Sequence, residues 1–216
     1  MNPSIKVILV DDHAIVRAGF RMLLATEDGI EVVAETDRGE AAWQLYSEHH
    51  PDIVVMDLSM SGIGGLETIR RICTKDNSAK ILAFSVHDEK IYVQRALAAG
   101  AKGYISKNSA PSILIDAIQA IAAGDSYLDP ALAEHTGTPA TETKVDYKAI
   151  IESFSAREFD VFLLLAKGYT AHKISEEMCL GYKTIANYGT QIRNKLQVSS
   201  VAELAHIALV SGVMKN

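Results

Sequence analysis

Lys6-Val7-Ile8-Leu9-Val10-Asp11-Asp12 and Ile53-Val54-Val55-Met56-Asp57 decide the fold. Val7 to Val10 and Ile53 to Met56 are apolar at every position, so neither run has a face for water. Strands of that kind belong to a parallel sheet covered by helices on both sides. Around them, short β-branched runs alternate with helical periodicity: strands at Lys6–Val10, Glu31–Ala34, Ile53–Met56, Lys80–Phe84 and Gly103–Ile105, helices at Ala14–Leu24, Arg38–Glu48, Gly65–Cys73, Lys90–Ala99 and Pro111–Ala122. Gly100 and Gly124 follow two of the helices, where a left-handed residue costs glycine least. Five βα units predict a doubly wound α/β domain with a five-stranded sheet over residues 1–124.

The pattern dissolves beyond Gly124. Residues 125–149 read as a linker: Asp129-Pro130 can open a short helix, and His135 to Thr143 is polar and turn-rich. Apolar residues then recur only at helical spacing, at Phe159, Phe162, Leu163 and Ala166, at Ile174 and Met178, at Ile185, Ile192 and Leu196, and at Leu204, Ile207 and Ala208. This predicts an all-α domain of four helices over residues 150–216. Ser155 with Glu158 three residues on forms a capping box, and Thr170, Gly181 and Ser200 stand where the other helices begin.

The 216 residues carry a net charge of −6, unevenly spread. Residues 1–124 hold 12 Lys/Arg against 16 Asp/Glu, whereas residues 150–216 hold 7 against 6. An acidic site in the first half fits this asymmetry, which gives nucleic-acid binding by the second half only weak support. No charged start followed by an apolar run marks a signal peptide, and no run is long enough to span a membrane, so the protein reads as cytoplasmic. Cys73 and Cys179 lack the paired spacing of a zinc or redox motif and read as reduced packing residues.

Ligands of an open parallel sheet bind beyond the carboxyl ends of the strands, where strand order reverses. Asp11 and Asp12 end the first strand and Asp57 ends the third, so three carboxylates converge there and demand a cation. Hard oxygens without a nearby Cys or paired His favour Mg²⁺. Ser85 ends the fourth strand with a hydroxyl, and Lys107 ends the fifth with an ammonium able to pair with a phosphoryl oxygen. A carboxylate nucleophile, a divalent metal, a lysine and a hydroxyl suit in-line phosphoryl transfer. Gly62-Ile63-Gly64-Gly65 is not a dinucleotide loop, because it does not follow the first strand.

Val10-Asp11-Asp12-His13, Met56-Asp57-Leu58-Ser59-Met60, Phe84-Ser85-Val86 and Gly103-Tyr104-Ile105-Ser106-Lys107 resemble, in order and spacing, the receiver domain of bacterial two-component response regulators. The resemblance implies the flavodoxin-like strand order 2-1-3-4-5. It also implies that Asp57 accepts phosphate from a sensor histidine kinase, and that Asp11, Asp12, Asp57 and the Ser59 backbone carbonyl hold Mg²⁺. Lys107 and Ser85 then hold the phosphoryl group, and Tyr104 is the switch aromatic that turns inward as the serine moves. Ser61 stands where the family usually has proline, and Ser59 and His87 occupy positions that influence phosphoryl lifetime.

Residues 151–213 resemble the LuxR-type helix-turn-helix of the NarL/FixJ regulators, through Phe154-Ser155-Ala156-Arg157-Glu158, Leu165-Ala166-Lys167-Gly168-Tyr169-Thr170, Lys183-Thr184-Ile185-Ala186-Asn187-Tyr188 and Lys195-Leu196-Gln197-Val198. A helix-turn-helix lays its second helix in the major groove of double-stranded DNA, and that helix is read as Tyr182 to Leu196. Ile185, Gly189, Ile192 and Leu196 share the inward face; Lys183, Asn187, Thr190, Gln191 and Asn194 share the outward one. By the resemblance Ala186, Asn187 and Thr190 face bases, and Lys183, Thr184 and Tyr188 face the backbone; Lys195 also suits a phosphate. No arginine faces outward to read guanine, so readout is weak or leans to A·T pairs; Ala186 and Tyr188 replace a frequent Lys and His, which bears on affinity. So few cations imply a homodimer, formed on phosphorylation, across two promoter half-sites. In the family the last helix, Val201 to Val210, supplies that interface; Leu204, Ile207 and Ala208 equally suit packing within the domain.

Two other classes fit less well. Aspartyl-phosphate phosphatases carry a second Asp two residues past the nucleophile, where this chain has Ser59. An interaction module without phosphorylation would not need Asp11, Asp12, Asp57, Ser85 and Lys107 together. No turnover of an external substrate is expected, only acceptance and self-hydrolysis of the phosphoryl group.

Overall fold

The apolar runs pair side by side. In a computed structural model describing residues 4–133 and 147–214, Ile5–Val10 (β1), Ile30–Thr36 (β2), Ile53–Asp57 (β3), Ile81–Ser85 (β4) and Gly103–Ser106 (β5) form a parallel sheet in the expected order β2-β1-β3-β4-β5. Helices Ala14–Leu24 (α1), Gly39–His49 (α2), Gly65–Lys75 (α3), Lys90–Ala99 (α4) and Pro111–Ala123 (α5) join them. Side chains alternate across a strand. Val7, Leu9, Ile53, Val55, Leu82, Phe84 and Ile105 therefore point to one face, where they pack with Leu24 of α1 and with Leu114, Ala117, Ile118 and Ile121 of α5. Ile8, Val10, Val54, Met56, Ile81 and Ala83 point to the opposite face and are equally buried. Burial on both faces explains why β1 and β3 contain no polar alternation.

A sixth strand, Tyr127–Leu128 (β6), runs parallel to β5, within the stretch read as linker. Two residues carry no readable period; the strand forms because β5 offers an open edge and because Asp129 fastens the chain immediately beyond it. The Asp129 side chain is almost wholly buried, at 1% exposure. Its Oδ2 accepts from the Ser106 N–H at 3.1 Å and from the Ser109 hydroxyl, and its Oδ1 accepts from the Ala131 N–H at 3.0 Å. That last bond caps Pro130–Ala133 (α6), the short helix expected after Asp129. Residues 134–146, and with them the polar run from His135 to Thr143, lie outside the described residues.

The chain divides into two compact units, Met1–Thr136 and Gly137–Asn216. The second contains Tyr147–Glu152 (α7), Ala156–Ala166 (α8), Ala171–Glu177 (α9), Tyr182–Leu196 (α10) and Val201–Val210 (α11). Apolar periodicity predicts four helices; α7 is a fifth, too short to announce itself by a period. The expected starts hold. Ser155 and Ser200 form capping boxes with Glu158 and Glu203, and Thr170 and Gly181 are the N-caps of α9 and α10. Phe159, Phe162, Ile174, Ile185, Ile192 and Leu204 are buried to 1% exposure or less and make the core of this unit.

Two expectations change here. Cys73 is half-buried, but Cys179 is exposed, so it is no packing residue. It is the left-handed residue of the turn between α9 and α10, with φ of 51°, while Gly181 has an ordinary φ of −63°. Leu204, Ile207 and Ala208 are buried within their own unit, which settles them as intramolecular packing. On α11 the large apolar residues left exposed are Val201, Leu209 and Val210.

Candidate functional site

Strand register builds the first site. Asp57 pairs with Phe84 and Ser85 with Ser106, so the ends of β3, β4 and β5 stand level; Val10 pairs with Met56, which places Asp11 and Asp12 just beyond them. The Lys107 N–H extends the ladder by donating to the Ser85 carbonyl at 2.7 Å. Gly65 lets α3 start this close: a Cβ there would lie 2.1 Å from the Asp57 carbonyl oxygen. The glycine run that is no nucleotide loop thus serves the contact between α3 and β3.

Lys107 Nζ lies 2.6 Å from Asp11 Oδ2 and 2.8 Å from Asp57 Oδ2. Its side chain is 9% exposed, and those of Asp11 and Asp57 are 6% and 0% exposed. Asp57 Oδ1 accepts the Ser59 N–H at 2.9 Å, and Asp12 Oδ2 accepts the Ser61 N–H at 3.1 Å. The serine found in place of proline at position 61 therefore supplies a donor that proline lacks. Burial pushes the Asp57 carboxyl above the usual range; the Lys107 ammonium and the Ser59 N–H pull the other way, and Asp11 adds to the rise.

Three carboxylates face one ammonium, leaving a net negative site. Asp12 Oδ1 and Asp57 Oδ2 are buried, with the His13 ring nitrogen and the Lys107 ammonium as their neighbours at 2.9 and 2.8 Å. Such oxygens suit a hard divalent cation. Sequence reading did not place His13 here, although its Nδ1 stands 2.9 Å from Asp12 Oδ1 and 3.2 Å from Asp11 Oδ1. Its signal was adjacency to the acidic pair, but where its ring stands follows from the backbone, whose His13 N–H donates to Asp11 Oδ1 at 2.7 Å.

Ser85 and Tyr104 are both fully buried. Tyr104 points inward, and its hydroxyl donates to the His87 carbonyl at 2.5 Å. Ser85 Oγ accepts the His87 N–H at 3.2 Å. Serine and tyrosine thus hold the same residue of the loop between β4 and α4.

In the second unit α10 turns Ile185, Gly189, Ile192 and Leu196 inward, as expected. Lys183, Thr184, Asn187, Thr190, Gln191, Asn194 and Lys195 are exposed, and Ala186 and Tyr188 are half-buried. The Thr190 hydroxyl donates back to the Ala186 carbonyl at 3.0 Å. Lys195 is already engaged: its Nζ lies 2.6 Å from Glu158 Oε1. Burial would raise the Glu158 pKa, but Lys195 and the bonds from Ser155 outweigh it and hold the carboxyl below its ordinary value. Sequence spacing put Lys195 near the DNA face and could not show that the α8 capping residue takes its charge.

Among the described residues no helix is long and apolar enough to cross a membrane. The model of the response regulator receiver domain matches residues 7–119, and that of bacterial regulatory proteins of the luxR family matches residues 152–208. The transcriptional activator protein ExaE of Pseudomonas putida is 37% identical over 97% of this chain and 98% of its own. Response regulator UvrY of Escherichia coli K12 is 36% identical over 97% and 95%. A LuxR-family response regulator from Aurantimonas sp. SI85-9A1, known as a crystal structure, is 44% identical over 61% of this chain and 94% of that one, with a TM-score of 0.59. A receiver site at the strand ends, a helix-turn-helix later in the chain and relatives matched over nearly their whole length place this chain in the family of two-component response regulators that bind DNA through a LuxR-type domain.

Proposed function

We propose that Asp57 accepts a phosphoryl group from the phosphohistidine of a sensor kinase, and that this controls homodimerisation and promoter binding. The observation that carries the reading is the placement of Lys107, paired at once with Asp11 and with a fully buried Asp57. Asp57 Oδ1 accepts the Ser59 N–H and Oδ2 faces the Lys107 ammonium at 2.8 Å, and each carboxylate oxygen keeps a second lone pair, so the carboxylate can still attack. It forms a bond to phosphorus as the phosphorus–nitrogen bond of the donor breaks, and the departing imidazole keeps that electron pair and takes up a proton. Asp11, Asp12, Asp57 and the Ser59 carbonyl would hold Mg²⁺, whose charge neutralises the phosphoryl oxygens. Lys107 pairs with one of those oxygens. Ser85, whose Oγ accepts from His87 and whose hydroxyl bonds the Tyr104 side chain, turns its proton toward another.

Coupling runs through the loop that Ser85 and Tyr104 share. A hydroxyl drawn toward the phosphoryl group shifts the His87 N–H, and the Tyr104 hydrogen bond to the His87 carbonyl follows. On the DNA side, Lys183, Thr184 and Tyr188 face phosphates, and Ala186, Asn187, Thr190, Gln191 and Asn194 face bases. Lys195 joins them only by leaving Glu158. The protein turns over no external substrate and at most hydrolyses its own acyl phosphate.

Acetyl phosphate with Mg²⁺ tests the first step. Intact-mass measurement is expected to show one added phosphoryl group on the wild type and none on Asp57→Asn; equal labelling of the two sinks the assignment. Gel shifts of the two forms on genomic fragments test the coupling, and binding unchanged by phosphorylation removes it.

A further inference from the structure

His13 follows the acidic pair of β1 and folds back over it. Its Nδ1 lies 2.9 Å from Asp12 Oδ1, 3.2 Å from Asp11 Oδ1 and 3.9 Å from Asp57 Oδ2. One ligand atom from each of these four residues lies within 4.8 Å of every other. The His13 N–H donates to Asp11 Oδ1 at 2.7 Å, so the backbone that aims the ring is itself tied to the cluster. Independently, the wholly buried Asp57 aims Oδ2 into the same space, where the Lys107 ammonium faces it at 2.8 Å. The ring is at the mouth, its side chain 63% exposed, and can turn its nitrogen toward a bound ion without repacking the core.

We infer that His13 is a metal ligand that sets which divalent ion this pocket prefers. The role rests on the reading of the pocket as a cation site, and it adds a nitrogen donor to the three carboxylates. Oxygen-only sites suit Mg²⁺, which keeps its waters and gains little from nitrogen. A neutral imidazole adds a donor that Mn²⁺ and, more strongly, Zn²⁺ favour. The pocket therefore discriminates against borderline ions less than an all-oxygen one, and occupancy by Zn²⁺ in place of Mg²⁺ becomes a route to blocking Asp57.

Electron spin-echo spectroscopy of Mn²⁺ bound to the full chain tests this directly, alongside calorimetric titration with MgCl₂, MnCl₂ and ZnCl₂. Wild type is expected to show nitrogen modulation from one imidazole, which His13→Ala abolishes. The same variant is expected to lose affinity for Zn²⁺ at least about tenfold more than for Mg²⁺, a loss of the size that metal-site substitutions produce. Absence of nitrogen modulation in the wild type overturns the inference, as does its survival in His13→Ala or an equal loss for all three ions. Failure of the cation site itself looks different: none of the ions then binds the wild type in a manner that Asp57→Asn weakens.

Discussion

Lys107→Met is expected to destabilise the receiver at neutral pH by on the order of 3 kcal/mol, the range seen when one partner of a buried ion pair is removed. Asp11 and Asp57 would be left to face each other with side chains 6% and 0% exposed and without the ammonium that stands 2.6 and 2.8 Å from them. The loss has a definite pH signature. In the wild type the Asp57 pKa already lies above its usual 3.8, first because of burial, with Lys107 holding it back. A carboxyl whose pKa is raised by folding leaves stability intact below its unfolded value and removes it as pH rises through the folded one. Without Lys107 the folded value climbs further, so the deficit deepens toward neutrality and nearly disappears at about pH 4. Urea unfolding at acid and neutral pH checks this; equal deficits at both overturn it. Added Mg²⁺ is expected to recover part of the neutral-pH loss, since a cation that binds only the folded site shifts the equilibrium toward it.

Phe162→Ala acts on the other unit. Phe162 is wholly buried and meets the Phe154 ring edge to face, with centroids 5.7 Å apart. Truncating such a side chain costs about 3–5 kcal/mol, and a unit of this size has only about 5 kcal/mol in all. The variant is expected to leave much of the C-terminal unit unfolded at 37 °C and to abolish gel shifts, while acetyl phosphate still labels Asp57. A melt with two separate transitions, only the second displaced, is the calorimetric form of the same result. Loss of labelling together with DNA binding would show that the two units do not fold independently.

What could be read without coordinates was whatever a residue announces by its neighbours in sequence. Runs apolar at every position gave β1 and β3, and the acids, serine and lysine at strand ends gave the pocket because parallel strands all finish on one side. Ser155, Thr170 and Ser200 gave three helix starts because capping is a local bond, and Gly181 gave a fourth without one. Hidden were the features made by residues distant in the chain. Tyr127–Leu128 is a strand only because the β5 edge lies beside it. Lys195 is neutralised by Glu158, 37 residues away. His13 was visible as a residue, but its turn back over Asp12 depends on geometry that spacing does not encode.

The fastening at Asp129 also decides where this receiver can be cut. Ending the chain at Gly124, where helical periodicity stops, would strip β6 and leave the Lys102 and Tyr104 carbonyls and the Ser106 N–H without their present partners. An uncovered parallel edge is a template for another molecule's strand. A receiver cut after Ala133 is therefore expected to stay monodisperse where one cut at Gly124 self-associates, and equal behaviour of the two in light scattering would overturn this.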